Sequence, residues 1–254
     1  LTDEEMTEYI KVSKQLCKLY NADNDTFTES DDILMALLLK RKRIIHKASQ
    51  KKKVFEDILK MRYQEKGNLK YTLVYVPEGN RPDYNADIFD SSDVLTTDSE
   101  SEHLIDEYTQ IVCGISPTTT VRQFTSNSVE RSKILEDFAD GRLEVLTSMK
   151  CLDEGVDVPR SEMAIFCAST GNPRQFVQRR GRILRKHKDK YRAIIHDLIV
   201  APCVGIDEGN YKMERNLLAT ELRRVRDFAS LSENADFTYK ALGSIADYYN
   251  LSIL

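Results

Sequence analysis

The sequence lacks the cysteine patterns that build a disulfide framework or a zinc site. Its 254 residues contain five cysteines, an odd number, and no C-x-x-C pair. This spacing argues against both kinds of cross-link, and we predict no metal site. Cys113, Cys151 and Cys167 stand among apolar neighbours. We therefore expect them to be buried thiols in a reducing compartment such as the cytoplasm.

Long apolar runs are missing as well. No stretch approaches the ~20 consecutive apolar residues that a membrane-spanning helix needs, so we predict no membrane partner. No signal peptide is visible at the amino end, where the chain opens on LTDEEMTEY without an initiator methionine. We expect the chain to be a piece of a longer protein.

A net positive charge is also missing, which argues against a protein that binds nucleic acid through bulk charge. The formal net charge is -4, but it is unevenly distributed. Residues 83–107 contain nine acids and no Lys or Arg, whereas residues 174–192 contain nine bases and one acid. A second basic run, residues 40–53, is interpreted as a solvated helix face rather than a DNA contact.

The amino-terminal residues carry helical signals only. Thr2 is a good N-cap with Glu5 three residues later, which predicts a helix over residues 2–20. Residues 31–62 contain no Gly or Pro and carry apolar residues at helical spacing, which predicts one long helix or two. We therefore expect residues 1–66 to form a helical extension or connector.

From Gly67 onward, short apolar runs alternate with helical segments. Five runs have the length and composition of buried strands: residues 71–76, 119–124, 143–148, 163–168 and 192–200. Residues 80–101 are acidic and polar, which predicts a surface loop, and residues 103–115 are predicted to be helical. Another helix is expected to open at Asn127 and stop at Gly141.

This alternation predicts an α/β fold in which helices cover both faces of a parallel sheet. We assign that domain to residues 67–203. After Pro202 the pattern returns to helix over residues 211–228 and 234–249. Residues 204–254 are therefore predicted to be a helical tail packed on the sheet domain.

The first candidate site follows the strand at residues 143–148, because open α/β sheets bind ligands at the carboxyl ends of their strands. Gly155 lets the backbone pass close to a ligand, and Asp157 could accept hydrogen bonds from a ribose. A nucleic-acid phosphate could be met by residues from the strand end onward, namely Thr147, Ser148, Met149 and Lys150. A plain strand-exit turn with solvated acids is the structural alternative.

The second candidate site is the basic stretch itself. Asn172 as N-cap and Pro173 at the first helical position predict a helix start. At 100° per residue, one face carries Arg174, Gln178, Arg182 and Arg185, with Gly181 beside them. The other face carries Phe176, Val177, Ile183 and Leu184, which we expect to dock the helix on the sheet.

A docked helix would hold its guanidinium groups in a fixed direction. The planar guanidinium group pairs with phosphate through two hydrogen bonds. A solvated basic face on an amphipathic helix is the alternative interpretation. Lys186, Lys188 and Lys190 are expected to be solvated, or to add a diffuse positive field for a polyanion.

Together these stretches resemble the second RecA-like domain of superfamily 2 helicases. Gln178-x-x-Gly181-Arg182-x-x-Arg185 is similar to motif VI, and residues 146–159, with LDEGVDVP, are similar to motif V. YTLVYVPEG resembles motif IV, and residues 124–141 resemble the segment after it. The residues of motif V most resemble those of XPB-type and restriction-type helicases.

The resemblance implies an ATP-dependent, nucleic-acid-stimulated helicase or translocase in which two RecA-like domains enclose ATP and Mg²⁺. Arg182 and Arg185 would be arginine fingers, and Gln178, Gly181, Gly155 and Asp157 would lie near the nucleotide. The backbone from Thr147 to Lys150 would face nucleic acid, which is DNA by analogy with the XPB wording. Such a protein would be cytoplasmic or associated with the nucleoid.

Two motifs of the family are missing from the sequence, G-x-x-x-x-G-K-[ST] and D-E-x-[HD]. ATP and Mg²⁺ would then be held mainly by a first RecA-like domain elsewhere in the same parent chain, and this chain alone is predicted to be inactive. The alternative function is a scaffold with a helicase-like fold that binds DNA or protein without hydrolysis.

Overall fold

The computed structural model describes residues 1–21, 23, 26–27, 32–76, 98–125, 127–149, 158–167, 180–205 and 210–252. These residues separate into two compact units. One unit combines Leu1–Ile45 with Val200–Leu254, and the other contains His46–Ala86 and Asp90–Ile199. We refer to them as the helical unit and the sheet unit.

The elements follow one another in a helical, then alternating, then helical order. In chain order they are α1 (Asp3–Cys17), β1 (Tyr20–Asn21), β2 (Thr26–Phe27), α2 (Asp32–Lys47), α3 (Ser49–Lys66), β3 (Thr72–Tyr75), α4 (Asp98–Ile115), β4 (Val121–Phe124), α5 (Arg131–Ala139), β5 (Val145–Ser148), β6 (Met163–Phe166), β7 (Ile194–Asp197), α6 (Tyr211–Ala229) and α7 (Ala235–Tyr248).

The sheet unit is built on a five-stranded sheet with the order β4-β5-β3-β6-β7. All four strand pairs are parallel, as predicted. Every residue of β3, β5 and β6 is buried. A parallel sheet covered on both faces requires such continuous burial, which explains why these strands are apolar runs rather than alternating ones.

Helices cover the two faces of the sheet. On one face, α3 contributes Phe55 and Leu59 to a core that also contains Tyr108 of α4 and Val74 of β3. On the other face, α5 places Phe138 against the ring of Tyr71, with the ring centroids 6.3 Å apart. The predicted RecA-like α/β architecture is therefore confirmed.

The structure changes the predicted place of α3. We assigned residues 1–66 to an amino-terminal extension, but Phe55, Ile58 and Leu59 are part of the core of the sheet unit. The single predicted stretch over residues 31–62 is two helices, with Ala48 between them. The chain turns after α3 at Gly67, whose φ of 70° is in the left-handed region that glycine adopts without strain.

Two predicted helix starts also differ. α4 begins at Asp98, so the last residues of the predicted acidic loop are helical, whereas residues 77–97 lie outside the described part of the chain. α5 begins at Arg131 rather than at Asn127. The backbone N–H of Thr125 donates to the hydroxyl of Ser128 over 2.8 Å, and this turn delays the helix. The predicted stop is confirmed, because Gly141 follows α5 with φ 72°.

The helical unit contains α1, α2, α6 and α7. The predicted capping box is present, since Thr2 and Glu5 bond to each other's backbone N–H groups. Val12 and Leu16 of α1 pack with Leu34 of α2 and Met213 of α6. Segments from both ends of the chain therefore share one core.

One buried carboxylate joins three helices of this unit. Glu214 of α6 is only 2% exposed and accepts hydrogen bonds from the hydroxyls of Tyr9 and Ser13 of α1. Arg41 of α2 completes the cluster, with its Nη2 3.0 Å from Glu214 Oε2. Burial raises the pKa of Tyr9, so its phenol stays a neutral donor. Burial opposes the charge of Arg41, but the Glu214 carboxylate holds the pKa of Arg41 above its usual value.

We predict that Glu214→Ala destabilises the helical unit, because it leaves the buried Arg41 charge and two hydroxyls without their acceptor. The expected loss is about 3–5 kcal/mol in the free energy of unfolding, as for other broken buried pairs. Native-state hydrogen exchange of the α1 amides measures this value for the helical unit.

Glu8→Ala is the matched control. Glu8 pairs with Lys40 over 3.4 Å at the surface, where the two side chains are 55% and 50% exposed. Removing such a pair costs about 0–1 kcal/mol. Equal losses for the two variants would contradict the structural role of Glu214.

Candidate functional site

The carboxyl ends of the five strands lie side by side. Phe124, Ser148, Tyr75, Phe166 and Asp197 occupy one row across the sheet, because each is paired in register with its neighbour. The rings of Tyr75 and Phe166 stack with their centroids 4.8 Å apart. In parallel strands all chain exits share one edge. The exits of β5 and β6, which precede the two candidate sites, are therefore on the same side of the sheet.

The structure turns two predicted nucleic-acid contacts toward the interior. Thr147 is fully buried, and its hydroxyl lies 2.9 Å from the hydroxyl of Thr109 in α4. Ser148 is fully buried too, and its hydroxyl has no hydrogen-bond partner among the described residues. The carbonyl of Ser148 accepts from the backbone N–H of Val76 over 2.8 Å within the sheet. The hydroxyls of Thr147 and Ser148 are therefore not exposed to a ligand, and the predicted nucleic-acid contact of this stretch stays a prediction.

Met149 and the predicted loop complete this candidate site. Met149 is half-buried, and its side chain packs against the core of the sheet unit. Lys150, Gly155 and Asp157 lie outside the described residues, as does Gln178 of the second candidate site. Their predicted contacts with nucleotide or nucleic acid stay predictions.

The described end of the basic helix differs from the predicted two-faced pattern. Residues 180–183 are helical, with Arg182 half-buried and Ile183 fully buried. Leu184 is 52% exposed, so the prediction that it docks on the sheet is wrong. The helix ends at Ile183, and a rotation of 100° per residue no longer describes Leu184 or Arg185.

Arg185 and Gly181 occupy more open positions. Arg185 is exposed, and its backbone N–H donates to the carbonyl of Arg182 over 3.3 Å. Gly181 is exposed, and a Cβ built there would meet no atom of the chain within 4 Å. Among the described residues, nothing crowds Gly181. Its predicted role in the close approach of a ligand stays a prediction.

Lys190 is half-buried and bound to main-chain carbonyls, whereas we expected a solvated side chain. Its ammonium donates to the carbonyl of Ile183 over 2.7 Å and to the carbonyl of Pro159 over 3.0 Å. Burial lowers the pKa of Lys190 below its usual value. Lys186 and Lys188 are exposed, as expected. The three lysines lie in similar charged surroundings in the sequence, so the charge pattern did not distinguish them. Only the fold brings Pro159 near Ile183, where Lys190 binds both carbonyls.

A second contact joins the same two stretches of chain. Arg160, the residue after Pro159, lies with its guanidinium carbon 4.4 Å from the centre of the Tyr71 ring. Its Nη1 is 2.6 Å from Asp189 Oδ2 and 3.1 Å from His187 Nδ1. The sequence analysis missed Arg160, for which no local pattern predicts a partner.

The carboxyl end of β6 carries another buried base. Lys51 of α3 is 5% exposed and donates to the carbonyl of Cys167 over 3.1 Å. The prediction that the basic run over residues 40–53 is a solvated face is therefore wrong for Lys51. Lys51 thus binds the main chain of Cys167, the first residue after β6. This contact lies just before the predicted start of the basic helix.

The cysteines differ from one another in exposure. Cys167 is fully buried, as predicted, and burial raises the pKa of its thiol to about 12. Cys113 is exposed, so the prediction that it is buried is wrong. It lies on α4, where an apolar neighbour in the sequence points to a different side of the helix. Cys151 lies outside the described residues.

Among the described residues, no three His, Cys, Asp or Glu side chains form a group that could hold a metal ion. No described helix has the length and apolar character needed to cross a membrane.

Residues 90–187 match the family model described as helicase conserved C-terminal domain. A stretch of 89 residues, 34% of this chain, is 44% identical to the DNA 3'-5' translocase XPB2 of Sulfurisphaera tokodaii and covers 20% of that protein. Dicer-like protein 2 of Cryphonectria parasitica is 38% identical over 60 residues, which are 24% of this chain and 4% of that protein. The chain thus matches a fifth or less of these relatives' length.

The SWI2/SNF2 ATPase core of Sulfolobus solfataricus, solved in complex with dsDNA, is similar in fold. Its TM-score is 0.53 at 16% sequence identity, over 99% of this chain and 48% of that structure. At this identity the likeness concerns the fold alone. It agrees with the parallel sheet and flanking helices described above.

We predict that Cys167 resists alkylation in the native chain while Cys113 reacts. With a pKa of about 12, the fraction of Cys167 present as thiolate at pH 8 is on the order of 10⁻⁴, and the thiolate is the nucleophile. Iodoacetamide labelling followed by peptide mass spectrometry measures both rates. In urea the two rates should become similar. Equal rates in the native chain would contradict the buried position of Cys167.

Proposed function

We propose that this chain carries the C-terminal RecA-like domain of a superfamily 2 helicase and is the second motor half of an ATP-dependent, nucleic-acid-stimulated helicase or translocase. A first RecA-like domain of the same protein would hold ATP and Mg²⁺. This chain would add motif V and the arginines of motif VI. The observation that carries the proposal is the position of Arg182 beside the fully buried Ile183, at an anchored helix end.

The described residues suit one side of a nucleotide site. Arg182 is half-buried and Arg185 is exposed, and the planar guanidinium group of arginine suits a phosphate. The helicase resemblance assigns Mg²⁺ to the first domain. ATP supplies the phosphoryl group whose transfer to water drives the motor.

In this proposal Arg182 and Arg185 stabilise the negative charge that develops on the transferring phosphoryl group. An arginine fixed in advance needs no reorganisation at the moment of reaction, so its charge acts fully on the transition state. Gln178, Gly181, Gly155 and Asp157 are assigned to the surroundings of the nucleotide. These assignments rest on the positions of these residues in the motifs.

We further propose that the nucleic acid is DNA. Two observations support this choice: the wording of motif V in residues 152–159, and the 44% identity to a relative named as a DNA translocase. The side chains of Thr147 and Ser148 face the interior, so we assign the contact to the main chain from Met149 onward and to Lys150. Backbone N–H groups commonly bind phosphate in such sites.

The first test is DNA-stimulated ATP hydrolysis by the intact protein, wild type against Arg182→Ala. Loss of an arginine finger is expected to lower kcat by roughly 10³–10⁵, with ATP binding retained. Lys186→Met is the matched control, because it removes an exposed charge from the same segment. An unchanged rate for Arg182→Ala would refute the finger role and favour a scaffold that binds DNA or protein without hydrolysis.

A second test uses this chain alone. We expect no ATP hydrolysis above background, with or without DNA, because the sequence contains neither G-x-x-x-x-G-K-[ST] nor D-E-x-[HD]. A radiolabelled phosphate-release assay detects even slow turnover. Hydrolysis by the isolated chain at the rate of an intact helicase would contradict the proposed division between two domains.

A further inference from the structure

Lys190 connects two stretches that are far apart in sequence. Its ammonium lies 2.7 Å from the carbonyl oxygen of Ile183 and 3.0 Å from that of Pro159. Ile183 is the residue after Arg182, and Pro159 is two residues after Asp157. One side chain therefore joins the end of the motif VI helix to the end of motif V.

The carbonyl of Ile183 is a natural acceptor for this charge. The last four carbonyls of a helix have no partner within the helix, and Ile183 is the last helical residue before the turn at Leu184. An ammonium bound at this point satisfies one carbonyl and fixes the last turn. It also keeps Ile183 in its buried position, since the main chain on that side can no longer move away.

Arg160 holds the other side of the connection. Its guanidinium binds Asp189 over 2.6 Å and lies over the Tyr71 ring, 4.4 Å from its centre. The backbone N–H of Lys190 donates to the carbonyl of His187 over 3.0 Å, so the turn that carries Lys190 is ordered by its own hydrogen bond. The ammonium therefore projects from a fixed base.

We propose that Lys190 is a positioning residue for the motif VI arginines, because its ammonium ties the main chain next to Arg182 to the main chain that follows Asp157. This inference rests on the proposed function. In this proposal Lys190 acts through the main chain and not on the phosphate. It fixes where the guanidinium of Arg182 lies relative to motif V, and so keeps the two motifs in one geometry during each catalytic cycle.

The effect of losing this tie follows from the cost of misplacing a catalytic group. A shift of about 1 Å in such a group lowers a rate by up to roughly 10²-fold. Lys190→Met keeps the length of the side chain and removes its donors. We expect kcat for ATP hydrolysis at saturating DNA to fall by roughly tenfold or more, with less than about a threefold change in KM for ATP.

Lys188→Met is the matched control. Lys188 is exposed and lies in the same turn, so this variant removes the same charge but no tie to the main chain. Both variants lose one positive charge and could therefore attract DNA less strongly. Measuring kcat at saturating DNA removes this shared effect. We expect Lys188→Met to keep kcat within about twofold of wild type.

A double-mutant cycle separates positioning from a general structural effect. Arg182→Lys serves as the second background, since it retains a charge and a measurable rate but loses the planar fork. If Lys190 acts through Arg182, Lys190→Met should lower kcat by less than about threefold in that background. An equal loss in both backgrounds would overturn the proposal, because the two residues would then act independently.

Hydrogen exchange of this chain alone provides a readout that is independent of ATP. Lys190→Met should raise amide exchange in residues 183–185 at least about tenfold and leave α6 unchanged. If Arg182→Ala abolishes hydrolysis but Lys190→Met does not slow it, the positioning role is wrong and the proposed function stands. If Arg182→Ala leaves hydrolysis unchanged, the proposed function fails. Faster exchange in Lys190→Met would then support Lys190 only as a structural contact.

Discussion

The parallel pairing of β3 with β5 on one side and β6 on the other is the constraint on which the sheet unit depends. Parallel strands need long crossovers, so each connection must pass over a face of the sheet before the next strand begins. This pairing brings the ends of β5 and β6 to one edge, although 17 residues separate Ser148 from Phe166 along the chain. The two candidate sites therefore follow strands that end on the same side of the sheet, with β3 between them.

Basic side chains anchor the main chain around this framework. Lys51 binds the carbonyl of Cys167, where the chain leaves β6. Lys190 binds the carbonyls of Pro159 and Ile183, and Arg62 joins Glu162 over 2.9 Å just before β6 begins. Each of these charges lies where main-chain carbonyls or a carboxylate replace water, which limits the cost of burial. Positive charge in this unit therefore has a structural use beside any use with phosphate.

The helical unit uses a different device. A single carboxylate, Glu214, accepts from two hydroxyls and one guanidinium that belong to α1 and α2. Removing any one donor would leave the carboxylate short of a partner, so the three helices are fixed to one another by complementary groups as well as by apolar packing. This arrangement explains how residues from both ends of the chain maintain one core.

The sequence alone determined the parallel α/β fold. The apolar runs that form β3, β5 and β6 have the length of strands, and segments with helical periodicity lie between the strands. It also identified the helicase resemblance, since motifs V and VI are local patterns. Only the tertiary structure decided which bases are buried, where α3 belongs, and that Thr147 faces α4. Those outcomes depend on contacts between residues far apart in sequence. Lys188 and Lys190 are similar in local pattern, yet only Lys190 meets Pro159 and Ile183.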